Sequence, residues 1–491
     1  MPIATSYQPF IEPQKSAFGE AEVAEPTPVV QLQFPYNINT RLVNTNANGG
    51  SVTFSANKAR ISTGSGTNQS AQLLSRREVK YNPGQGALIR FTAVFTAGAA
   101  NSTQYAGIGD AADGLFFGYN GTAFGVMRRQ GGSVEIQTLT ITTASSTSED
   151  ITITLNGNAK ADVTVTDSGV KETTAREIAV EDYSAVGGGW NAEAVGDTVI
   201  FISFGSGDKA GAFTLSAPGT AVGAFAETVA GVSPTETVVA QTSWSEDKAA
   251  GAETLPSLTF TNGNVFQIRY QWLGFGAIEF SIENPSTGRF VLVHRIEYAN
   301  SATIPSIDNP TLPLCVFAGN TSNASDIVVE TSSMAGFVEG KDVDLGFLNS
   351  AEGGITNLGN TELPILSIRN KRVFQGKLNR ARIAPLFVAL ATLSTKPVIF
   401  RVRVDTALTG SPSFSDVAAS TSMVATDTSA SGVSGGNVIL TTVLGKENAE
   451  IVDLTSLRAR LLPGELFTVT GQAASGTNQE VNVSLTWDEL L

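Results

Sequence analysis

The punctuation of this chain limits its fold more than any other feature. From about residue 39 to the end, short apolar or alternating runs are broken by Gly/Asn/Ser clusters every ~8–12 residues. A helix needs apolar residues at i, i+3, i+4 and i+7 over three turns, and almost no window offers that. Period-two alternation offers strands instead, at 86–95, 114–119, 122–129 and 134–141. The sequence therefore predicts a mainly β protein of sandwich type. The dipeptide Asn120-Gly121 predicts a type I′ hairpin between the second and third of these runs, because both residues tolerate positive φ.

At 491 residues the chain exceeds one core, so about two to four domains are expected. Residues 1–38 are Pro- and Glu-rich without either period, and predict an extended N-terminal arm. Phe10, Phe18, Phe34 and Tyr36 are its aromatic anchors, set to dock on a neighbouring molecule. A first sandwich is expected over 39–141 plus 256–340, interrupted by a small α+β domain at 142–255. That insert shows a hairpin around Asn156-Gly157, a helical stretch with Ala175, Ile178 and Ala179 on one face, and a second hairpin turning through 205–211. A C-terminal β-sandwich is expected over 341–491.

Charged residues make up 15% of the chain, against about 25% in ordinary proteins. A weakly charged polar surface is cheap to desolvate, which suits permanent contacts. The net charge of −14 disfavours phosphate backbones, so a nucleic-acid partner is not expected. No apolar run reaches the ~18 residues of a membrane span. The first residues lack a basic segment followed by an apolar one, so no secretory signal is expected. The lone Cys315, in LPLCVF, reads as a buried structural thiol from a reducing cytosol.

Two resemblances follow. DGLFFGYNGTAFGVMRR (113–129) and VFQIRYQWLGFGAIEFSIE (265–283) resemble the concanavalin A-like jelly roll of lectins and laminin-G modules. That resemblance implies a lectin-like sandwich, and acidic loops that in this family can bind calcium. As a whole, the chain is similar to virion proteins of tailed phages and large DNA viruses. The carrying features are the aromatic-studded arm, the inserted-domain sandwich and the closing RARLLPGELFTVTGQ (458–472). It implies a fibre, spike, baseplate or minor capsid component.

The chemistry-bearing residues are few. A single histidine, His294, cannot make a two-His metal site, and neither a GxSxG elbow nor a reactive Cys accompanies it. Asp110 and Asp113 read as turn caps, with calcium as the alternative. Glu279 and Glu283 share a strand face and could be glycosidase carboxylates, or, with the turn at 284–288 following at once, Glu283 is a solvated edge residue. Trp272, Phe275 and Phe280 could stack on a sugar, or fill a core. The sharpest anomaly is RNKRVFQGKLNRAR (369–382). There Arg369, Lys371, Arg372, Lys377, Arg380 and Arg382 occur without an acidic residue. The alternatives are a cation-protected edge strand, electrostatic docking on a neighbouring subunit and, as a weaker third, nucleic acid, for which the stretch offers only Phe374 to stack on.

Taken together, the sequence predicts a non-enzymatic structural subunit of a virus particle, made in the host cytoplasm and located in the virion. It would be a homo-oligomer, for instance a trimer, contacting other virion proteins, without cofactor or metal. The alternative is a carbohydrate-binding adhesin or receptor-binding protein for a host surface glycan, with Trp272 as the glycan contact. A polysaccharide hydrolase is a third reading.

Overall fold

The computed structural model describes residues 26–341, 346–393, 395–410, 412–457 and 459–490. It divides into two compact units, 1–132 with 234–342, and 133–233 with 343–491. Among the described residues, one α-helix stands beside strands that form all the rest of the regular structure apart from two 3₁₀ turns. No helix is long and apolar enough to cross a membrane.

The first unit is a sandwich of antiparallel strands. One sheet has nine strands, ordered Arg289–Ile296, Ile278–Asn284, Asn264–Tyr270, Ala87–Phe95, Val328–Thr331, Lys58–Ser62, Ser51–Ser55, with Ser333–Glu339 and Pro26–Gln33 branching from Ala87–Phe95. The other has seven, ordered Thr235–Ala240, Ala123–Gln130, Gly114–Asn120, Ser102–Gly109, Leu312–Asn320, Ser70–Val79, Val43–Asn48. Alternation explains the core: Leu115 and Phe117 point inward from one strand, and Ile89, Phe91, Ala93 and Phe95 from another. Phe117 sits 4.8 Å from Phe266 and 5.4 Å from Phe280, ring to ring. Gly118 is glycine because a Cβ there would lie 2.0 Å from the Gln104 carbonyl of the adjacent strand.

The hairpin at 120–123 forms, but its two-residue loop is Gly121-Thr122, closed by the pair Asn120↔Ala123. Gly121 has φ 60° and Asn120 stays in the strand. Positive φ at the first loop position alone is the type II′ pattern, which corrects the expected I′ turn. Part of the segment expected as an extended arm, Pro26–Gln33, is instead a strand. Pro26–Gln33 pairs with Ser333–Glu339, because Val30 and Leu32 alternate into the core. Phe34 is 3% exposed and Tyr36 is 88% exposed. Phe10 and Phe18 lie outside the described residues.

The second unit combines the insert with the C-terminal sandwich. The insert begins at 133 and ends at 233. Val134–Thr143, expected in the first sandwich, pairs instead with Thr198–Ser206 and Val222–Val229, since Leu139 and Ile141 face the insert's own core. At the other end, Thr235–Ala240 pairs with Ala123–Gln130 and so returns to the first sandwich. The Asn156-Gly157 hairpin is present, with φ 52° and 72°, as a I′ turn requires. The helix Lys171–Ala179 buries Thr174, Ala175 and Ile178 and half-buries Ala179. No hairpin forms through 205–211. Thr198–Ser206 turns through Gly196-Asp197 onto Trp190–Val195, and Thr214–Ser216 pairs with Glu149–Leu155. The shorter loop has the smaller closure cost.

The C-terminal sandwich packs two sheets. The first has four strands, ordered Gly346–Leu358, Gln479–Leu490, Arg382–Thr392, Asn448–Asp453. The second has six, ordered Ser415–Asp416, Val424–Asp427, Leu363–Asn370, Leu466–Ala473, Val398–Val404, Asn437–Leu444. Trp487, Phe400 and Phe467 are at most 1% exposed between the sheets.

Candidate functional site

The first sandwich concentrates exposed apolar residues on the loop 271–277, between Asn264–Tyr270 and Ile278–Asn284. Leu273 is 54% exposed, Phe275 36%, and Ile304, on a facing loop, 58%. Isolated exposed apolar residues are ordinary, but a cluster on one loop end is an interaction mark.

The loop is held rigidly from behind. Gly276 donates its N–H to the Trp272 carbonyl at 2.7 Å, and a Cβ at 276 would lie 1.8 Å from the Gln271 carbonyl oxygen. Leu273 adopts φ 39°, a left-handed conformation costly for a branched side chain, followed by Gly274 at φ 80°. The Tyr81 hydroxyl accepts the Leu273 N–H at 3.0 Å, and the Gly274 carbonyl accepts Ser306 N–H at 2.7 Å. Trp272 is half-buried. Its indole N–H donates to the Ile307 carbonyl at 3.0 Å, and its ring meets Tyr81 edge-on at 5.7 Å. Trp272 therefore anchors the loop from a half-buried position. Phe275 is the presented ring, stacked on Tyr298 at 6.2 Å, with the Arg128 guanidinium 4.9 Å over Tyr298. Phe280, by contrast, is fully buried in the core.

The facing loop is pinned in turn by Asp113. This carboxylate is 2% exposed and accepts the N–H groups of Gly131, Asp308 and Asn309 at 3.0–3.3 Å. Asp110 caps its own turn, accepting from Ala112 and Asp113. Asp110 is thus the turn cap the sequence suggested, whereas Asp113 ties together distant loops. Arg128 adds a bond to the Ser306 carbonyl at 2.8 Å, and Gln130 donates to the Pro305 carbonyl.

The groups considered for catalysis do not assemble. Glu279 pairs with Arg295 across the sheet at 2.8 Å. Glu283 lies four residues further along the same strand, ~14 Å away, too far for a carboxylate pair. His294 is 8% exposed, and burial lowers its pKa, which Glu246 opposes only in part. Its Nδ1 accepts the Ser245 N–H at 3.1 Å, so the ring is a neutral acceptor. Cys315 is buried, its thiol pushed up to about 12 by desolvation, and it is no nucleophile at neutral pH.

The basic stretch is consumed mainly inside the chain. Arg369 is 8% exposed; it and Arg372 both pair with Glu193 of the insert, and Arg369 lies 5.8 Å over the Phe414 ring. Lys371 pairs with Asp416 at 2.9 Å. Arg380 and Arg382 are half-buried and partnered. Lys377 is exposed beside the tip of a tight hairpin whose Gln375 and Gly376 have φ 50° and 70°. Sequence reasoning missed Glu193, because nothing local marks an acid 176 positions upstream of Arg369 as its partner.

One acidic trio, Glu135, Asp208 and Glu227, brings carboxylate oxygens within 4.8 Å of one another and offers oxygen ligands of the kind a cation takes. Its buried member, Glu135, already accepts from Gln137 Nε2 at 2.7 Å and Lys209 N–H at 2.5 Å. The three residues are dispersed in sequence, which hid them.

No protein-family model matches the chain, and no curated protein matches it. Solved structures of legume-lectin type are similar to it. A legume lectin-like domain from Entamoeba histolytica shares 13% identity over 62% of this chain and 95% of its own, with a TM-score of 0.23. The exoplasmic/lumenal domain of VIP36, in a Ca2+/Man3GlcNAc-bound form, shares 10% over 65% and 92%, with a TM-score of 0.25. Peanut lectin shares 13% over 64% and 98%, with a TM-score of 0.24. These likenesses concern the sandwich architecture, and no residue role passes from them to this chain.

Proposed function

We propose that this protein is a non-enzymatic recognition protein whose contact surface is the 271–277 loop with its facing loop, and whose ligand is a glycan. The observation that carries the reading is the rigid display of Phe275. Its ring is exposed, backed by Tyr298, and set on a backbone with little freedom left to lose on binding. A sugar ring offers an apolar C–H face to such a ring and hydroxyls to the carbonyls and amides around it. The sparsely charged, hydroxyl- and amide-rich composition suits an uncharged polyol.

The test is glycan-array binding by the full chain and by Phe275→Ala. Loss of about tenfold or more in bound signal, with an unchanged melting temperature, is expected. Trp272→Ala is expected to lower the melting temperature as well, because that residue holds the loop. Absence of binding to any glycan would sink the reading.

A second reading, a subunit of a virus particle, is favoured by the long open sheet edge at Gly346–Leu358. Specific antibody labelling of purified particles is expected on this reading. Particles that carry none of the chain would exclude it.

A further inference from the structure

Strands at sheet edges expose unpaired N–H and C=O groups, and proteins blunt them with Lys, Pro, bulges or brevity. Two edges of this molecule follow that rule. Ser51–Ser55 is five residues long, and Arg289–Ile296 carries Arg289 and Arg295. Gly346–Leu358 does not. It is 13 residues long and pairs on one side only, with Gln479–Leu490. At ~3.4 Å per residue it runs ~44 Å. It contains no Lys, Arg or Pro, and its one charge is Glu352. Leu348 is 66% and Phe347 37% exposed. Among the described residues nothing pairs with its outer side.

We propose that Gly346–Leu358 is a docking edge for a second copy of this chain, paired antiparallel about a twofold axis at Ala351. Self-pairing fits because an antiparallel pair of identical edges satisfies both rows of backbone groups with one isologous contact. Two features select the register. The ladder with Gln479–Leu490 is regular only as far as Ile355, where it shifts before Leu358. A centre at Ala351 pairs Gly346 through Thr356 and so stays almost wholly within the regular part. A centre at Glu352 would set that carboxylate against its own copy, which like-charge opposition disfavours. The Ala351 centre sets Glu352 opposite Ser350, Leu348 opposite Gly354, and Phe347 opposite Ile355. Each four-stranded sheet then continues into the other as eight strands, within the usual size of open sheets. This inference is independent of the glycan reading.

The experiment is sedimentation equilibrium of the intact protein, of Ser350→Glu and of Ser350→Lys, each checked for unchanged circular dichroism. Residue 350 points outward and is exposed, so neither variant disturbs the core. The expected result is a concentration-dependent dimer. It should weaken about tenfold with Ser350→Glu, which opposes Glu352 twice by symmetry. It should tighten about tenfold with Ser350→Lys, which meets Glu352 twice. A protein that stays monomeric to ~100 μM overturns the proposal, as does self-association that both variants leave unchanged. Equal weakening by both variants overturns the Ala351-centred pairing.

Discussion

At the scale of the residue, the clearest electrostatic unit is Glu362. Its carboxylate takes a two-point contact from Arg403 at 2.7 and 2.8 Å, the Thr470 hydroxyl at 2.6 Å, and Arg401 at 3.3 Å. Burial pushes its pKa up, but these bonds outweigh burial and hold it below the ordinary carboxylate value. A depressed folded pKa means the unfolded state binds the proton first as pH falls. The stabilisation is therefore full above the unfolded value of ~4.3 and is lost as pH drops through the folded one. Glu362→Gln should cost about 1–3 kcal/mol at pH 7. The gap between the thermal melts of the two proteins should narrow as pH falls below ~4.3 and close only below the depressed folded value, and a gap that did not narrow with falling pH would refute the assignment. His294 behaves with the same sign for a different reason. Burial lowers its pKa, so its neutral form is favoured in the fold, and its contribution fades as pH falls below ~6.5. Residue-level legibility followed residue type. Cys315, His294 and Asp110 could be read, because a lone thiol, a lone imidazole and an Asp before a turn have one common environment each. Leu273 could not, because nothing in the letters QWLGFGA sets a leucine at positive φ.

At the scale of the element, the basic hairpin is a clamp. Arg369 and Arg372 grip Glu193, and Val373 packs beside Ile136, Ile202 and Val229, so charge and apolar contacts hold the insert to the C-terminal sandwich. Removing one partner of a buried pair leaves the other charge uncompensated, at about 3–5 kcal/mol. Glu193 is partly exposed, so Glu193→Ala should fall at the lower end, near 3 kcal/mol. Hydrogen exchange should show faster exchange in both 190–206 and 363–379. Loosening of the C-terminal segment alone would count against a clamp. The strands of both sandwiches were legible, since alternation such as Ile89, Phe91, Ala93 and Phe95 writes one face into the sequence. Pairing was not. Val134–Thr143 alternates equally well for either neighbour, and its allegiance is decided by partners more than 50 residues away.

At the scale of the whole molecule, chain order and structural unit part company. The insert is spliced between 132 and 234, inside the first sandwich, yet it forms one compact unit with 343–491. Cooperative unfolding follows contacts and not chain neighbours. Destabilising the C-terminal core should therefore loosen the insert, while destabilising the first sandwich should not. Trp487→Ala removes a fully buried side chain from the C-terminal core, and Phe117→Ala removes one from the first; each should cost about 3–5 kcal/mol. In Trp487→Ala, amide protection should fall across 133–233 together with 346–490, and strands such as Ala87–Phe95 should keep theirs. In Phe117→Ala the pattern should reverse. If the insert instead followed Phe117, its covalent splice would govern its stability, and the Glu193 clamp would be a surface contact of little energetic weight.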